Sequence, residues 1–573
     1  MYYRYFFLII PVLLTFPGIS FSADEDATQN IANADISAQI DSLKKQPPEN
    51  LAMQPAPQIE EETTPEEAPV AEGAFLLKKI RFEGNQALTA EELHKAVADL
   101  ENHEITLQEL KDAAKRVTTL YRSRGYLIAR AYLPPQKIED GQVLIQILEG
   151  KIGEITVENN RWFNERIYKK FFFQAPDKGG SFRFTDLETS LYFLNQKEDR
   201  QAKVYLAPGK ELGTTNINLK AQEKFPFHAG YEFNNRGTKL THRARQMINF
   251  RNTNLTGFDD TLSGGFSAAE QAAFRAVWLQ YNLPFETTGT TFGLNWNLAK
   301  SQLQKHLRPF DIDGDYFELT PSISQAIIRS RMFDFRWFAD FQIKDAKSTI
   351  NDVKTYYDRM RIIRTGPRLS YQDRWGKTIV SANTHVGIGG FMGSLENDDP
   401  NASRNGAGGT FVYYSGSLSR LQRLPLSSFL VLQSSAQWSP VTLTSTEQFR
   451  AGGMYSVRGY PESDSAGDRG YNLTAEIHFP IPLISKEWEI PYLKKKWIDA
   501  FRLVGFYDLG ATENRSRQTR AEEKNRFLMG TGIGTRINLS NYLNMQLDWG
   551  FPIGDESTDK DRSQIHFSVK AGF

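Results

Sequence analysis

The side chains that could perform chemistry in this sequence do not form a catalytic set. The chain has 8 His and no Cys, so thiol catalysis, disulfides and thiolate metal sites are excluded. The His residues lack the spacing of metal ligands, and the sequence has no Ser-His-Asp or nucleophile-elbow pattern. Residues 311–315 resemble part of a calcium loop but lack the closing Glu of an EF-hand. We interpret them as a solvated loop and predict no enzyme, no metal site and no other cofactor.

The composition instead indicates a membrane protein that crosses with strands. The chain contains 39 Phe, 23 Tyr, 9 Trp and 42 Gly in 573 residues, yet its mean hydropathy is −0.47. This combination is expected of a β-barrel with lipid-facing rings and a polar lumen. The 68 basic and 68 acidic residues balance, which gives no indication of a nucleic-acid partner.

The first 22 residues are typical of a secretory signal peptide. Arg4 supplies a short positive region, Phe6 to Phe16 form an apolar run, and the small residues Ser20 and Ser22 precede a cleavage site. The apolar run is shorter than the roughly 20 residues that a membrane-spanning helix needs. An uncleaved anchor is the alternative, but the pattern favours export.

Residues 23–73 have low complexity and connect the signal peptide to the rest of the chain. Ile36, Ile40 and Leu43 have helical spacing, which predicts a short amphipathic helix near residues 31–45. From Pro47 to Glu72, repeated Pro and acidic residues cannot bury a core. That part is predicted to be a flexible linker.

Residues 74–150 predict a small α/β unit with the order β-α-α-β-β. Thr89 and Thr106 each precede a helical pattern and are followed three residues later by Glu, which is the spacing of a capping box. Gly125 suits the left-handed position after the second helix. The predicted strands are 75–83, 126–133 and 142–149. The same order is predicted again in residues 151–224, with strands at 153–157, 202–206 and 216–220.

Residues 225–573 change to a period of two. In the segments 333–344, 472–479 and 543–551, apolar and aromatic residues alternate with polar or charged ones. Each run has about ten residues, the length of a tilted membrane strand. A soluble sandwich would also alternate, but its outer face would not hold Trp and Phe so consistently. Because backbone groups in lipid must all be paired, such strands must close into a barrel, and we expect roughly 12 to 18 of them.

The chain stops on Phe573, at the end of an alternating segment that begins at residue 564. A terminal amphipathic strand that ends in an aromatic residue resembles the signal read by the barrel-assembly machinery. We therefore expect that machinery to be a partner during biogenesis and Phe573 to be part of its recognition signal.

Four segments resemble a known family. They are Tyr121–Tyr126 and Ala131–Gln136 in the first α/β unit, and Phe449–Gly453 and Ser456–Tyr460 in the barrel. In this order they are similar to the TpsB transporters of two-partner secretion, the FhaC/ShlB/HecB group. The resemblance extends over nearly the whole mature chain, from about residue 75 to residue 573.

The resemblance implies two POTRA domains, at residues 74–150 and 151–224, followed by a barrel of about sixteen antiparallel strands at residues 225–573. It implies that a long extracellular loop folds back into the lumen, where its Arg meets the Asp of a strand motif. The loop motif would be Val457, Arg458, Gly459 and Tyr460, and the strand motif Phe506, Asp508 and Gly510. Many relatives have Phe at the position of Tyr460.

Strand counting supports this contact independently. If the C-terminus is periplasmic, counting strands backwards places Arg458 in an extracellular segment. In the predicted strand 499–510, Asp508 lies on the polar face that would line the lumen. A buried Arg needs a carboxylate partner, since an unpaired buried charge costs several kcal/mol. The alternative is that Arg458 is an ordinary solvated loop residue.

We therefore predict a polypeptide transporter of the outer membrane whose N-terminal domains lie in the periplasm. The resemblance implies that these domains capture an unfolded secreted partner with a TPS domain, of haemolysin or adhesin type, and that the barrel exports it. It also implies that the helix near residues 31–45 plugs the idle barrel. The expected partners are this polypeptide, the barrel-assembly machinery and outer-membrane lipid. Alternatives are an insertase for outer-membrane proteins, a porin-like channel or an outer-membrane enzyme.

Overall fold

The computed structural model describes most of the chain after residue 73. The described residues are 59–61, 74–126, 128–138, 140–172, 183–211, 214–285, 288–481, 487–491, 495–516, 525–540 and 543–572. The predicted signal peptide, the predicted helix near residues 31–45 and the terminal Phe573 lie outside these ranges. Within them, no helix has both the length and the apolar character that crossing a bilayer requires.

The first α/β unit follows a short strand in the sequence, β1 (Ile59–Glu61). Its elements in chain order are β2 (Ala74–Leu77), β3 (Lys79–Glu83), α1 (Ala90–Val97), β4 (His103–Thr106), α2 (Leu107–Ser123), β5 (Arg130–Tyr132) and β6 (Gln142–Leu148). The sheet order is β3-β6-β5, and β2 pairs separately with β4. Thr89 and Thr106 form the two predicted capping boxes, and Gly125 has the predicted left-handed backbone, with φ of 93°.

Two predicted strands of this unit were too long. The backbone N–H groups of Lys78 and Lys79 both donate to the carbonyl oxygen of Gly141, which divides the predicted strand 75–83 into β2 and β3. The predicted strand 126–133 is reduced to β5, because Tyr126 and Ala129 take part in the turn that closes α2. A long-range contact interrupts the first predicted strand, and a local turn shortens the second.

The second unit repeats the β-α-α-β-β order. It consists of β7 (Lys151–Glu158), α3 (Glu165–Phe172), α4 (Phe184–Leu194), β8 (Arg200–Pro208) and β9 (Thr214–Glu223). Its sheet has the order β1-β8-β9-β7, with β1 parallel to β8. The linker prediction is therefore wrong for residues 59–61, because a segment without a core can still be ordered by backbone pairing to a sheet edge.

Both units share a loop held by a carboxylate, Glu149 in the first and Glu223 in the second. In the first unit, Glu149 accepts hydrogen bonds from the backbone N–H groups of Gln86 and Ala87 and from the Tyr121 hydroxyl at 2.9 Å. In the second, Glu223 accepts from the N–H groups of residues 161–163 and from the Tyr168 hydroxyl. Burial, together with the neighbouring carboxylate, raises the pKa of both tyrosines, so each stays a donor.

The remaining strands form a closed antiparallel barrel, with 16 strands in the part of the chain that the structure describes. These strands are β10 (Phe227–Asn234), β11 (Arg245–Asn252), β12 (Thr261–Ala269), β13 (Phe274–Phe285), β14 (Thr290–Gln302), β15 (Ile312–Arg329), β16 (Phe333–Ile350), β17 (Val353–Gln372), β18 (Gly376–Gly387), β19 (Phe411–Arg423), β20 (Phe429–Trp438), β23 (Arg469–Pro480), β26 (Phe501–Glu513), β27 (Asn525–Ser540), β28 (Leu543–Pro552) and β29 (Gln564–Gly572). Two hairpins in the connections are β21 (Phe449–Ala451) with β22 (Ser465–Gly467) and β24 (Glu489–Ile490) with β25 (Lys495–Lys496). A one-turn helix, α5 (Trp497–Ala500), precedes β26.

The predicted fold class is confirmed, and the alternation decides which side chains face lipid. On β26, Leu503 and Tyr507 are 41% and 42% exposed, whereas Asp508 is fully buried. This is the pattern of an outer apolar face and a polar lumen. The first and last strands, β10 and β29, pair over five residues, fewer than any other neighbouring pair in the barrel.

The second α/β unit is attached to one end of the barrel, which identifies the periplasmic end. Arg200 contacts Asp259 in the β11–β12 turn, and Arg331 in the β15–β16 turn contacts Glu188 of α4. The connection between β20 and β23 is therefore at the opposite, extracellular end. This agrees with the orientation expected from the sequence.

Candidate functional site

The long connection from residue 439 to residue 468 turns back into the barrel. After β21 its chain enters the lumen, and it returns through β22. Val457 and Tyr460 are fully buried and pack with Ala451 and Leu528 in one apolar cluster. The Tyr460 hydroxyl donates to the carbonyl oxygen of Asp555 at 2.9 Å. The tip of this loop is thus a packed part of the interior.

Arg458 at the tip meets Asp508 on β26, as the sequence predicts. Its Nε and Nη2 atoms donate to the two carboxylate oxygens of Asp508, each at 2.8 Å, and its backbone N–H donates to the same carboxylate at 3.0 Å. The guanidinium lies 3.6 Å from the ring centre of Phe506. The pair is bidentate and charge-assisted, which makes it a strong and orientation-specific contact.

Further charges on neighbouring strands complete this site. Arg458 also contacts Glu476 on β23, and Arg536 on β27 lies 3.1 Å from the same carboxylate. Arg536 contacts Asp548 on β28 at 2.5 Å, and Arg458 lies 3.6 Å from Asp548. Two guanidinium groups and three carboxylates therefore form one network, in which each buried charge has an opposite partner.

The sequence motifs do not assign Glu476, Arg536 or Asp548 to the site. The signal existed for two of them, since Glu476 and Asp548 alternate with the apolar residues of their strands and so face the lumen. Alternation gives the face of a strand but not the height at which a residue meets the loop. That height depends on the stagger between strands, which the pattern does not contain.

Glycines in three strands give the loop tip a surface made mainly of backbone. A Cβ atom built at Gly530 would overlap the carbonyl oxygen of Arg458, and one at Gly550 would lie 2.5 Å from the nitrogen of Gly459. At Gly510 it would lie 2.7 Å from Val457. We call Gly510, Gly530 and Gly550 the glycine floor.

Gly459 itself requires the freedom of glycine. Its φ is 94°, a conformation that other residues rarely adopt. Its N–H donates to the Nε2 atom of His566 at 3.2 Å. The chain therefore reverses directly after Arg458, which places that side chain against the barrel wall.

A second set of contacts joins the connections at the extracellular end. Arg404, in the β18–β19 connection, donates to Asp468 at 2.6 Å, to the carbonyl oxygen of Leu443 at 2.7 Å and to Asn514 at 3.0 Å. Asp468 also accepts from the N–H of Arg515. Lys344 on β16 contacts Glu447 of the long loop at 2.8 Å. These pairs connect three extracellular connections to one another and to the wall.

One group among the described residues has the geometry of a metal site, at the junction of the second unit and the barrel. Ligand atoms of Glu198, Asp199 and His228 lie within 4.8 Å of one another. However, Arg251 contacts Glu198, and Asp199 accepts a hydrogen bond from the Thr253 hydroxyl at 2.7 Å. The cluster is therefore explained as an ion-pair network that connects the two domains.

A closed barrel with its loop held inside, preceded by α/β units at its periplasmic end, is the architecture of an outer-membrane β-barrel protein with periplasmic domains. The model of the family described as haemolysin secretion/activation protein ShlB/FhaC/HecB matches residues 213–537. A POTRA domain of the ShlB type matches residues 75–150. The chain belongs to this family and lies in the outer membrane, with its POTRA domains in the periplasm.

Individual relatives agree with the family assignment. The heme/hemopexin transporter protein HuxB of Haemophilus influenzae is 23% identical over 493 residues, which cover 85% of this chain and 84% of the relative. The outer membrane transporter CdiB of Dickeya dadantii is 23% identical, over 84% and 83%. The structure of CdiB from Escherichia coli superimposes with a TM-score of 0.69 at 19% identity, covering 97% of this chain and 100% of that one, which supports the fold.

Proposed function

We propose that the POTRA units receive an unfolded secreted polypeptide in the periplasm and that the barrel passes it to the cell surface. The observation that carries this proposal is the combination of sheet edges at the periplasmic end with a loop held inside the lumen. The family transports secreted partner proteins. The identity of this partner as a TPS-domain polypeptide of haemolysin or adhesin type is part of the proposal.

The POTRA sheets can offer main-chain hydrogen bonds to an extended chain. Sheet order places β3 and β5 at the edges of the first sheet, and β7 at one edge of the second. An extended peptide can add to such an edge as a further strand, and its side chains then occupy alternating positions. Because the main chain supplies most of the contacts, this mode suits a long polypeptide that is not yet folded.

The position of the loop tip would determine whether the lumen is open to a polypeptide. Arg458 occupies the lumen at the level of Asp508 and Glu476, so a polypeptide must pass beside it or displace it. We propose that this contact holds the loop in its transport-competent position. The periplasm contains no ATP, and folding of the partner outside the cell would drive its passage. In this proposal the chain is a conduit and catalyses no reaction.

Deletion of residues 74–150 tests the proposed role of the first POTRA unit. The truncated chain should still insert as a barrel, because the strands of the barrel close without that unit. Secretion of the partner, measured by immunoblot of the culture medium, should fall to background. The control is the heat-dependent gel shift of the deletion variant, which reports a closed barrel.

Three outcomes separate the alternatives. Normal secretion by the deletion variant would mean that the first unit is a spacer and that capture occurs elsewhere. A general loss of outer-membrane proteins in that strain, with no specific loss of the partner, would favour an insertase. A porin-like channel would be favoured if small solutes enter the cell only when this chain is present and enter equally well through the deletion variant.

Two other proposed partners concern the assembly and the environment of the barrel. We propose that the barrel-assembly machinery reads the terminal strand that ends in Phe573, and that outer-membrane lipid surrounds the exposed apolar face. Removal of Phe573 should lower the amount of inserted barrel, with unfolded chain accumulating in the periplasm. Equal amounts of inserted barrel with and without Phe573 would contradict this role.

A further inference from the structure

One edge of the second POTRA sheet is occupied by the chain itself. Strand β1 pairs in parallel with β8, and its Ile59, Glu60 and Glu61 stand opposite Val204, Tyr205 and Leu206. This segment precedes the first POTRA unit in sequence but is added to the sheet of the second. Its partner β8 pairs over nine residues with β9 on the other side. The β8 edge is thus a strand-accepting surface that already holds a strand.

The corresponding edge of the first POTRA unit, strand β5, offers fewer main-chain hydrogen-bonding groups to an added strand. There β5 has three residues, and Pro134 and Pro135 follow it after Leu133. Proline has no N–H to donate to an added strand, and it is a common means of protecting an edge. The long β8 (Arg200–Pro208), with proline only at its last position, offers more main-chain groups.

We infer that residues 59–61 occupy a docking edge for the secreted polypeptide and that this polypeptide displaces them during transport. The inference rests on the proposed function and adds a site and its regulation to it. Main-chain pairing is the contact between β1 and β8, and any extended peptide can provide the same pairing. Among the described residues β1 pairs with three residues of β8, whereas a secreted strand could pair along the full length of β8.

Because β1 is covalently connected to the POTRA units, it competes with any other strand for the β8 edge. A tethered segment acts at an effective concentration on the order of millimolar, so a weakly binding peptide would not displace it. A long unfolded polypeptide that engages several edges would do so. The occupied edge therefore excludes short peptides and admits the long secreted polypeptide. The incoming strand would lie parallel to β8, in the orientation that β1 has.

Covalent fixation of β1 tests the inference in the intact transporter. The chain contains no cysteine, so Glu60→Cys with Tyr205→Cys introduces a unique pair at positions that stand opposite each other. Closing this pair with a short bismaleimide in whole cells should reduce secretion about fivefold or more, the lower end of typical coupling between sites. The same reagent should leave secretion unchanged in each single cysteine variant.

A matched control places the second cysteine on the opposite edge of the same sheet. Glu60→Cys with Lys151→Cys uses β7, which is separated from β1 by β8 and β9, so it should not cross-link. Secretion by the chain without cysteines establishes the proposed function independently. If that chain secretes the partner and the cross-linked chain secretes it equally well, the inference is wrong and the proposed function stands.

Release of β1 gives the complementary measurement. Glu60→Pro removes one N–H from the segment and should weaken its pairing with β8. Binding of the partner's N-terminal region to the purified full-length transporter should then tighten, measured as a lower Kd by fluorescence anisotropy. Equal affinity for the Glu60→Pro and unaltered chains would contradict competition at this edge, and so would weaker binding.

Discussion

Two buried arginines connect separate parts of this chain, and their surroundings differ. Arg458 joins the long loop to the barrel wall, and Arg200 joins the second POTRA unit to the β11–β12 turn; each is 1% exposed. Each has an Asp partner, Asp508 at 2.8 Å and Asp259 at 2.6 Å. The same ion pair is therefore used at two contacts, one at the centre of the conduit and one at its periplasmic end.

The neighbours of the two pairs determine what each contact can do. Arg200 lies 5.2 to 5.9 Å from the ring centres of Phe163, Tyr168 and Phe171, in the core of the second unit. Arg458 lies among three carboxylates and a second guanidinium on the lumen side. A charge that loses its partner beside an aromatic core has few other groups to pair with. A charge that loses its partner in a polar network can pair with another charged group of that network. The first arrangement suits permanent attachment and the second suits a contact that must open and close.

Arg200→Ala should have the largest effect on stability. Removing one partner of a buried pair costs about 3–5 kcal/mol, because the other charge is left unpaired. The remaining Lys197, which lies 2.9 Å from Asp259, should offset part of this. We expect the periplasmic part to unfold at a clearly lower urea concentration. Proteolysis of the full-length protein at increasing urea measures this midpoint.

The matched control for this substitution is Arg331→Ala at the same junction. Its pair with Glu188 is partly exposed and 3.4 Å long, so the expected loss is about 0–1 kcal/mol. If the two substitutions destabilise the chain equally, the aromatic surroundings of Arg200 do not matter and the comparison fails.

Arg458→Ala or Asp508→Ala should affect transport more than stability. Each variant should reach the outer membrane and keep its heat-dependent gel shift, while secretion falls sharply. The free-energy cost should be below the 3–5 kcal/mol of a dry pair, since Arg536 and Glu476 remain close to the site. A double-mutant cycle on secretion yield measures the coupling. Simple addition of the two effects would mean that the contact is absent in the working state.

Gly530→Ala tests the glycine floor and should have an intermediate effect. The added methyl group would overlap the carbonyl oxygen of Arg458, and such overpacking costs about 1–3 kcal/mol. We expect a partial loss of secretion with normal insertion of the barrel. Gly505→Ala on β26 is the control, because no atom lies within 4 Å of the position of its Cβ. Equal secretion by the two variants would exclude close packing at Gly530 as a determinant.

Phe506→Leu should have the smallest effect of the series. It removes the ring that lies 3.6 Å from Arg458, an interaction worth about 0.5–2 kcal/mol, while the apolar bulk largely remains. A modest decrease in secretion is expected, with Phe479→Leu on the lipid-facing side as the control. A loss as large as that of Asp508→Ala would mean that the ring, and not the carboxylate, holds the loop.

Much of the fold follows from local patterns. The capping boxes at Thr89 and Thr106 and the alternation around residues 333–344 depend on neighbours in sequence, so they were predictable. The contact of Arg458 with Asp508 was also predicted, through a motif resemblance and the face of one strand. The capping boxes and the alternation are local patterns, whereas the Arg458–Asp508 contact joins two short motifs that are 50 residues apart.

The features that were missed depend on partners far apart in sequence. Strand β1 is ordered by β8, about 145 residues later, and its own composition gives no sign of this. Arg536 and Asp548 join the site through the stagger of the barrel strands. The glycine floor has the same origin, since Gly530 and Gly550 are unremarkable until the loop is placed over them.

The glycine floor also has a consequence for how the loop would leave the lumen. Because Gly510, Gly530 and Gly550 offer no side chains that interlock with the tip, withdrawal requires little rearrangement of rotamers in the wall. The resistance to withdrawal then comes from the ion pairs of Arg458 and from the apolar packing of Val457 and Tyr460. Salt screens exposed charges far more than buried ones, and Arg458 and Asp508 are 1% and 0% exposed. The rate at which the loop leaves its seat should therefore change little with the salt content of the medium outside the cell.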